Sequence, residues 1–230
     1  MREIVLDTET TGLDPTEGHR IIEICCLELE SHVPTGRVFH TLINPERDIP
    51  EDALRVHGIT NAKLTDAPLF SSIVDAFLGF IAESPLVIHN AEFDLKFLNS
   101  ELERAGKPGL PTARGIDTIA LAKRRFPGTR YSLDELCRRF SIDLSARTCH
   151  GARIDAELLA QVYLELLGGR QVRLALAPED ARGIVADWVK RVARLRPAPL
   201  AERLQPQERE SHARFVAAEL EGDVIWSWVV

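Results

Sequence analysis

Two acidic side chains stand together where the first apolar run of the chain ends. Asp7 and Glu9 are two residues apart, and residues i and i+2 of a strand project from the same face. Thr10, Thr11 and Gly12 follow directly and supply hydroxyls and a permissive backbone for close approach to a ligand. The pattern predicts adjacent carboxylates beside a turn that a ligand can reach.

Two further acids fall on the apolar stripes of predicted helices. Asp94 joins a stripe of Ala91, Leu95, Leu98, Leu102 and Ala105, and Asp155 begins one of Leu158, Leu159, Val162 and Leu166. Neither stripe carries a Lys or Arg to pair with its acid, and an unpaired buried carboxylate is costly. Each acid alone could be a solvated strand end or a helix cap. Four together favour two hard divalent cations and phosphodiester hydrolysis.

His150 precedes Asp155 by five residues, which on one continuous helix would turn it about 140° from the face of that acid. We therefore expect His150 on the loop that enters the helix. From there its imidazole could take a proton from an attacking water as general base. A loop histidine with only a structural or solvated role is the alternative.

The elements that must position these residues follow an α/β order. Runs rich in β-branched residues predict strands over 2–7, 19–30 and 37–44, and we expect these three strands to be antiparallel neighbours. Helices over 69–82 and 91–105 then alternate with strands over 86–89 and 115–118. This order predicts a mixed sheet flanked by helices.

Helix signals also place the end of the compact domain. Ser132 and Glu135 form a capping box for a helix that begins at Leu133, and Gly168 with Gly169 stops the helix that begins near Ala152. We expect a domain over 1–170, a proline-containing linker over 171–206 and a tail over 207–230, with a short helix at 207–221. All three tryptophans (Trp188, Trp226 and Trp228) follow the domain, which favours a docking arm over a segment folded back on it.

Composition limits how the chain could hold a nucleic acid. With 230 residues, 45% hydrophobic and 27% charged, it is long enough for one sizeable core with an appendage. Its net charge of −7 argues against a broad basic surface, so partners would have to hold it on nucleic acid. Four cysteines without metal-binding spacing, and no long apolar run, predict a soluble cytoplasmic protein with reduced thiols that is not exported and binds no membrane.

Three motifs of the sequence resemble those of a known family. DTETTG at 7–12, HNAEFD at 89–94 and HGARID at 150–155 are similar, in order and spacing, to the exonuclease motifs of the DnaQ-like, DEDDh superfamily. The histidine in the third motif selects the histidine branch. VHGIT at 56–60 and the run from 150 to 169 resemble the family of epsilon subunits of bacterial DNA polymerase III. The resemblance implies an RNase H-like, five-stranded mixed sheet and 3′–5′ proofreading exonuclease activity that releases nucleoside 5′-monophosphates.

The resemblance also assigns roles to residues. It implies two Mg²⁺ or Mn²⁺ ions held by Asp7, Glu9, Asp94 and Asp155, with His150 as base. It implies contacts with the DNA 3′ end from Asp7, Glu9, Thr10, Thr11, Gly12, Asp52, His57, Asn90, Phe93 and Asp155. It further implies a sliding-clamp motif at 171–176, with Gln171, Leu174 and Leu176 as contacts, and a tail that binds the polymerase alpha subunit. A bacterial, nucleoid-associated location follows.

Two other functions remain open from the sequence. An RNA-trimming exonuclease of the same superfamily would use identical chemistry, although it would need neither the hexapeptide at 171–176 nor the tryptophan-bearing tail. A non-catalytic scaffold within a polymerase assembly would use the fold alone. Intact acids and His150 count against the scaffold.

Overall fold

The computed structural model describes residues 1–145, 147, 149–169 and 205–219. The chain divides into two compact units, Met1–Arg173 and Leu174–Val230. In the second unit the described part is a single helix, Pro206–Glu219, close to the helix predicted at 207–221. Within the described residues, no helix combines the length and the apolar character needed to cross a membrane.

The first unit is built on a five-stranded sheet. Its strands are β1 (Arg2–Thr10), β2 (Ile21–Glu30), β3 (Val33–Leu42), β4 (Leu86–Ile88) and β5 (Gly115–Asp117), in the order β3-β2-β1-β4-β5. The β1–β2 and β2–β3 pairs are antiparallel, whereas β1–β4 and β4–β5 are parallel. The predicted mixed sheet is therefore confirmed.

Seven α-helices belong to the described part of the first unit. They are α1 (Glu51–His57), α2 (Asn61–Leu64), α3 (Phe70–Ile81), α4 (Ala91–Arg104), α5 (Thr118–Arg125), α6 (Leu133–Arg139) and α7 (Ala152–Leu166). Short 3-10 turns occur at Pro15–Glu17 and Thr112–Arg114. The predicted cap of α6 is present, because the Ser132 side chain accepts the backbone N–H of Glu135.

Helices cover both faces of the sheet. Ile4 and Leu6 of β1 pack in one apolar cluster with residues of α3 and α4, such as Phe77 and Leu98. Val5 of the same strand packs in the other cluster, with residues of α5, α6 and α7. Because alternate residues of β1 are buried on opposite faces, the strand carries three consecutive apolar residues, Ile4, Val5 and Leu6, before its acids. Each face thus has a helix that can bring an acid to the end of β1.

The hairpin between β2 and β3 is tighter than the sequence predicted. Ser31 and His32 form its two-residue turn with φ of 51° and 67°, and Glu30 pairs directly with Val33. Such turns need two positive φ angles and usually contain Asn or Gly. β3 consequently starts at Val33, before the predicted start at residue 37.

Candidate active site

The end of β1 presents two carboxylates to the face that α7 covers. Asp7 lies opposite Cys25 and Glu9 opposite Glu23 in the antiparallel pairing with β2. The register shifts between Glu9 and Thr10, so the ladder is irregular directly beside the acids. Irregular strand ends of this kind are frequent next to active sites, because they change the direction of a side chain.

Asp155 approaches Glu9 from the first turn of α7. Oxygen atoms of Glu9 and Asp155 and a ring nitrogen of His150 all lie within 4.8 Å of one another. Glu9 and Asp155 are buried, whereas His150 is exposed. Two carboxylates and an imidazole, from a strand, a helix and a loop, therefore meet at one point.

Asp94 reaches the same strand end from the opposite side of the sheet. It lies in the first turn of α4, and its Oδ1 accepts a hydrogen bond of 2.7 Å from the hydroxyl of Thr8. Thr8 alternates with Asp7 and Glu9 along β1, so it faces the α4 side. The bond fixes the buried Asp94 carboxyl beside the end of the strand.

The acids repel one another in a buried setting. Burial, followed by repulsion from Asp94, Glu9 and Asp155, raises the pKa of Asp7 well above its ordinary value. Burial and repulsion from Asp155 raise the pKa of Glu9 to about 8. Burial raises the pKa of Asp94 to about 7, against the lowering effect of the Thr8 hydrogen bond. The site holds more negative charge than the protein itself neutralises, and oxygen donors under such repulsion fit hard divalent cations.

Arg147 corrects one expectation from the sequence. No Arg lies on the helix stripe of Asp155, yet Arg147 reaches that acid from the preceding loop. Its Nε and Nη2 donate to Oδ1 and Oδ2 of Asp155 at 2.6 and 2.7 Å, and its Nη1 pairs with Asp134 at the start of α6. Helical periodicity could not reveal this pair, because it says nothing of side chains that reach a helix from a loop. The nearest signal was the position of Arg147 three residues before His150.

His150 lies on the loop before α7, as predicted. Its backbone N–H donates to the carbonyl of Val56 in α1 at 3.2 Å, which attaches the loop to that helix. Its Nδ1 lies 2.7 Å from Nη2 of Arg147 and 3.1 Å from Oδ2 of Asp155. A guanidinium only donates hydrogen bonds, so Nδ1 accepts from Arg147 and the proton of the neutral ring is on Nε2.

Glu23 is a fifth acid at the site, which the sequence analysis did not single out. Its carboxylate accepts hydrogen bonds from Nε2 of His40 at 2.7 Å and from the backbone N–H of Ala152 at 3.0 Å. Ala152 is the first residue of α7, so Glu23 connects β2 to the helix that carries Asp155. The alternation of β2 opposite Glu9 could have indicated it.

The residues after Glu9 are engaged within the protein. Thr10 donates its hydroxyl hydrogen bond to the Gly12 carbonyl at 2.7 Å, and the Thr11 hydroxyl accepts the N–H of Arg20 at 3.0 Å. A Cβ on Gly12 would lie 2.3 Å from the ring of His19, so this glycine is required for packing. Packing and hydrogen bonds within the protein therefore explain the residue types of this turn without reference to the predicted substrate contact.

Asp52 and His57 both lie on α1 but in different environments. Asp52 is exposed and pairs with Arg55, three residues along the helix. His57 is buried, and its Nδ1 accepts the backbone N–H of Ile59 at 3.0 Å. Its Nε2 has no hydrogen-bond partner, and this is the one such buried side-chain atom found among the described residues. Burial lowers the pKa of His57, while Glu23 and His150 act on it electrostatically.

Asn90 and Phe93 flank Asp94 at the start of α4. Asn90 is exposed in a left-handed conformation with φ of 69°, and its N–H donates to Asp117 of β5 at 3.2 Å. Phe93 is half-buried, with its ring centroid 5.0 Å from that of Phe97. The predicted clamp contacts Gln171, Leu174 and Leu176, and the three tryptophans, lie outside the described residues.

Comparisons with known proteins agree with this arrangement. The family model named Exonuclease matches residues 4–163. The DNA polymerase III subunit epsilon of Rickettsia felis is 58% identical over 174 residues, which cover 74% of this chain and 76% of that protein. The subunit of the same name from Escherichia coli is 44% identical over 186 residues, or 77% of this chain and 76% of that one.

Solved structures show the same fold. Exonuclease X in complex with 5′ overhanging duplex DNA is 26% identical, with a TM-score of 0.57, and the match covers 71% of this chain and 90% of that one. The nuclease domain of 3′hExo, described as a DEDDh family member bound to rAMP, is 19% identical with a TM-score of 0.63, over 72% of this chain and 91% of that one. The resemblance drawn from the three motifs is confirmed: the chain belongs to the exonuclease family, among the DnaQ-like proteins that include the DNA polymerase III epsilon subunits.

Proposed function

We propose that this chain is the proofreading 3′–5′ exonuclease of a bacterial replicative DNA polymerase. One observation carries the chemistry: Glu9, Asp155 and His150 place ligand atoms within 4.8 Å of one another at the end of β1. The names of the most similar relatives support a place in a polymerase assembly. Because those relatives are named as subunits of a DNA polymerase, they also favour DNA over RNA as the substrate.

The donor set fits divalent cations. Asp7, Glu9, Asp94 and Asp155 would hold two Mg²⁺ or Mn²⁺ ions, because all four are oxygen donors at one strand end and three have raised pKa values that report uncompensated charge. When bound, the ions would act as Lewis acids, which make the attacking water easier to deprotonate and neutralise charge on the departing 3′ oxygen. The hydrogen bond from the Thr8 hydroxyl would hold the Asp94 carboxyl in place as one of these donors.

His150 is the proposed general base. It is half-exposed on the loop beside Asp155, so it can reach a water at the scissile phosphate. Attack by that water and departure of the 3′ oxygen would release a nucleoside 5′-monophosphate. To accept a proton, His150 must present a ring nitrogen that is not already engaged.

His57 is the proposed contact for the terminal nucleotide. Since Nδ1 accepts from Ile59, the proton of the neutral ring is on Nε2, a buried donor without a partner. Leaving such a donor unpaired costs about 1–3 kcal/mol, which an oxygen of the nucleotide would recover. Asn90 and Phe93, beside Asp94, are proposed to contact the same nucleotide, as are Thr10, Thr11 and Gly12.

Selectivity for errors requires no reading of the wrong base. A mismatched 3′ end costs less to unpair than a matched one, so it enters a single-strand site more often. An acidic chain needs partners to stay at a DNA end. We propose the hexapeptide at 171–176 for the sliding clamp and the tail over 207–230 for the polymerase alpha subunit.

Two substitutions separate chemistry from binding. His150→Ala should lower kcat by about 10²-fold or more and leave Mn²⁺ affinity within about twofold, because a base acts in the transition state. His57→Asn, which keeps an acceptor for Ile59 and removes the Nε2 donor, should raise KM by about tenfold with kcat little changed. His32→Ala, at the opposite end of β1, and the exposed Glu51→Gln on α1 are matched controls. Full activity in His150→Ala would remove it as the base.

A further inference from the structure

Arg147 forms a buried ion pair with the carboxylate of Asp155. Two parallel N–H groups engage both carboxylate oxygens, at 2.6 and 2.7 Å. The pair is enclosed, because the Arg147 and Asp155 side chains are only 9% and 6% exposed. A bidentate arginine–carboxylate pair of this kind is stronger and more directional than a lysine–carboxylate pair.

The guanidinium charge also acts on the rest of the acid cluster. Arg147 interacts electrostatically with Glu9 and with Asp7, besides its contact with Asp155. A dication bound among these carboxylates would compete with Arg147 for the Asp155 oxygens and would repel its charge. Cation and guanidinium are therefore alternatives at Asp155.

The same arginine engages His150. Nη2 donates to Nδ1 of the ring at 2.7 Å, which leaves the other ring nitrogen carrying the proton. In this arrangement neither nitrogen can accept a proton from water. Once Arg147 leaves, Nδ1 can carry the proton and donate to Asp155, 3.1 Å away, and Nε2 becomes free to accept.

Arg147 has an alternative partner outside the cluster. Its Nη1 already pairs with Asp134 at the start of α6, and the Asp134 side chain is 38% exposed. The arginine can thus withdraw from Asp155 without losing every carboxylate contact. This makes displacement by a cation feasible in the folded protein.

We propose that Arg147 is an internal competitor of the divalent cation at Asp155, and that its displacement frees both the carboxylate and the base His150. The inference rests on the proposed function, because it needs a cation at this site. Arg147 acts through Asp155 and His150 and is a positioning residue. Metal binding and release of the base then become one event.

Calorimetric measurement of Mn²⁺ binding to the full chain tests the competition. Arg147→Gln removes the positive charge and the ion pair with Asp155, whereas Arg147→Lys keeps the charge and loses the bidentate hydrogen bonding. We expect Mn²⁺ to bind about tenfold more tightly to Arg147→Gln and at least about threefold more tightly to Arg147→Lys. Arg153→Gln, which removes an exposed arginine from α7, should bind as the unaltered protein does.

Other results would overturn the inference. If Arg147→Lys binds Mn²⁺ like the unaltered protein while Arg147→Gln binds more tightly, only net charge matters. If both variants bind more weakly, Arg147 supports the metal site. If the unaltered protein binds no Mn²⁺, both the proposed metal site and this inference are wrong. If it binds Mn²⁺ but the Arg147 variants do not bind it more tightly, only this inference is wrong, so the two failures are distinguishable.

Thermal unfolding supplies a second readout that does not depend on activity. By linkage, a variant that binds the cation more tightly recovers more stability from it. Arg147→Gln should therefore lower Tm in EDTA by more than it does in saturating Mn²⁺. An equal loss in both conditions would mean that Arg147 has only a structural role.

Discussion

At the scale of single residues, the site is defined by unbalanced charge. Five acids meet at the end of β1, and Arg147 contacts one of them, Asp155, through both carboxylate oxygens. Burial and repulsion from neighbouring acids favour the protonated forms of Asp7 and Glu9, and burial favours the protonated form of Asp94. Added positive charge would stabilise such a site, and the four acids that the sequence singled out interact electrostatically there, while their role as metal ligands stays a prediction. Arg147 and the unpaired Nε2 of His57 depend on tertiary contacts that no spacing encodes.

The first prediction concerns pH. Glu9 and Asp94 have pKa values of about 8 and about 7, above their ordinary values of 4.5 and 3.8. Acids whose pKa is raised by folding stabilise the protein below the ordinary value and lose that contribution as pH rises through the raised value. In EDTA, Tm should therefore fall by roughly 5 °C between pH 7 and pH 9.

Saturating Mg²⁺ should remove most of that fall, because the cation binds the ionised carboxylates. His57 and His89, whose pKa values are lowered by burial, change stability only at lower pH and do not affect this window. Differential scanning calorimetry with and without Mg²⁺ measures both curves. A Tm that rises with pH in EDTA would contradict the electrostatic account.

At the scale of elements, α7 must be held at the correct position against the sheet. Glu23 provides that connection, since it accepts the N–H of Ala152 and a hydrogen bond from His40. Glu23 also repels Glu9, which lies opposite in β1. Its effect on stability is therefore a balance between two favourable hydrogen bonds and the unfavourable repulsion with Glu9.

Glu23→Ala should separate these contributions. At pH 6, where Glu9 is mostly protonated, we expect a loss of about 2 kcal/mol from the unpaired Ala152 N–H. At pH 9 the loss should be smaller, because removal of Glu23 also relieves repulsion with ionised Glu9. Denaturant unfolding at both pH values measures it, with His40→Ala as the control that leaves the bond to Ala152 intact. A larger loss at pH 9 would show that repulsion is not part of the balance.

The sequence predicted the elements better than their ends. Periodicity located α3, α4 and α7 to within a residue or two, because each has a clear apolar stripe. The start of β3 was wrong by four residues, since Ser31 and His32 adopt a turn that their residue types do not signal. β1 extends to Thr10 rather than residue 7, because pairing with β2 continues past the acids.

At the scale of the whole molecule, the described site residues precede residue 170, and the segments proposed to bind the clamp and the polymerase follow it. The five acids of the site, His57 and His150 all lie in the first compact unit. The net charge of −7 makes unaided retention on DNA weak. The proposed clamp and polymerase contacts would supply that retention by raising the local concentration of the DNA end.

A chain that ends at residue 170 tests this division. We expect it to digest single-stranded DNA about as fast as the full chain, because the site residues are retained. It should fail to co-elute with the polymerase alpha subunit and the sliding clamp in gel filtration, whereas the full chain binds both. Loss of nuclease activity, or unchanged co-elution, would show that the two functions are not separated in this way.

A proofreading exonuclease removes mismatched 3′ ends from DNA. The most direct measurement is digestion of a 5′-labelled primer–template with a mismatched 3′ end, beside a matched one and a labelled single-stranded RNA, in Mg²⁺ and in EDTA. We predict shortening that requires Mg²⁺, is fastest on the mismatched primer and releases nucleoside 5′-monophosphates. Faster digestion of the RNA would instead indicate an RNA-trimming enzyme, and intact substrates in Mg²⁺ would contradict the proposed exonuclease function.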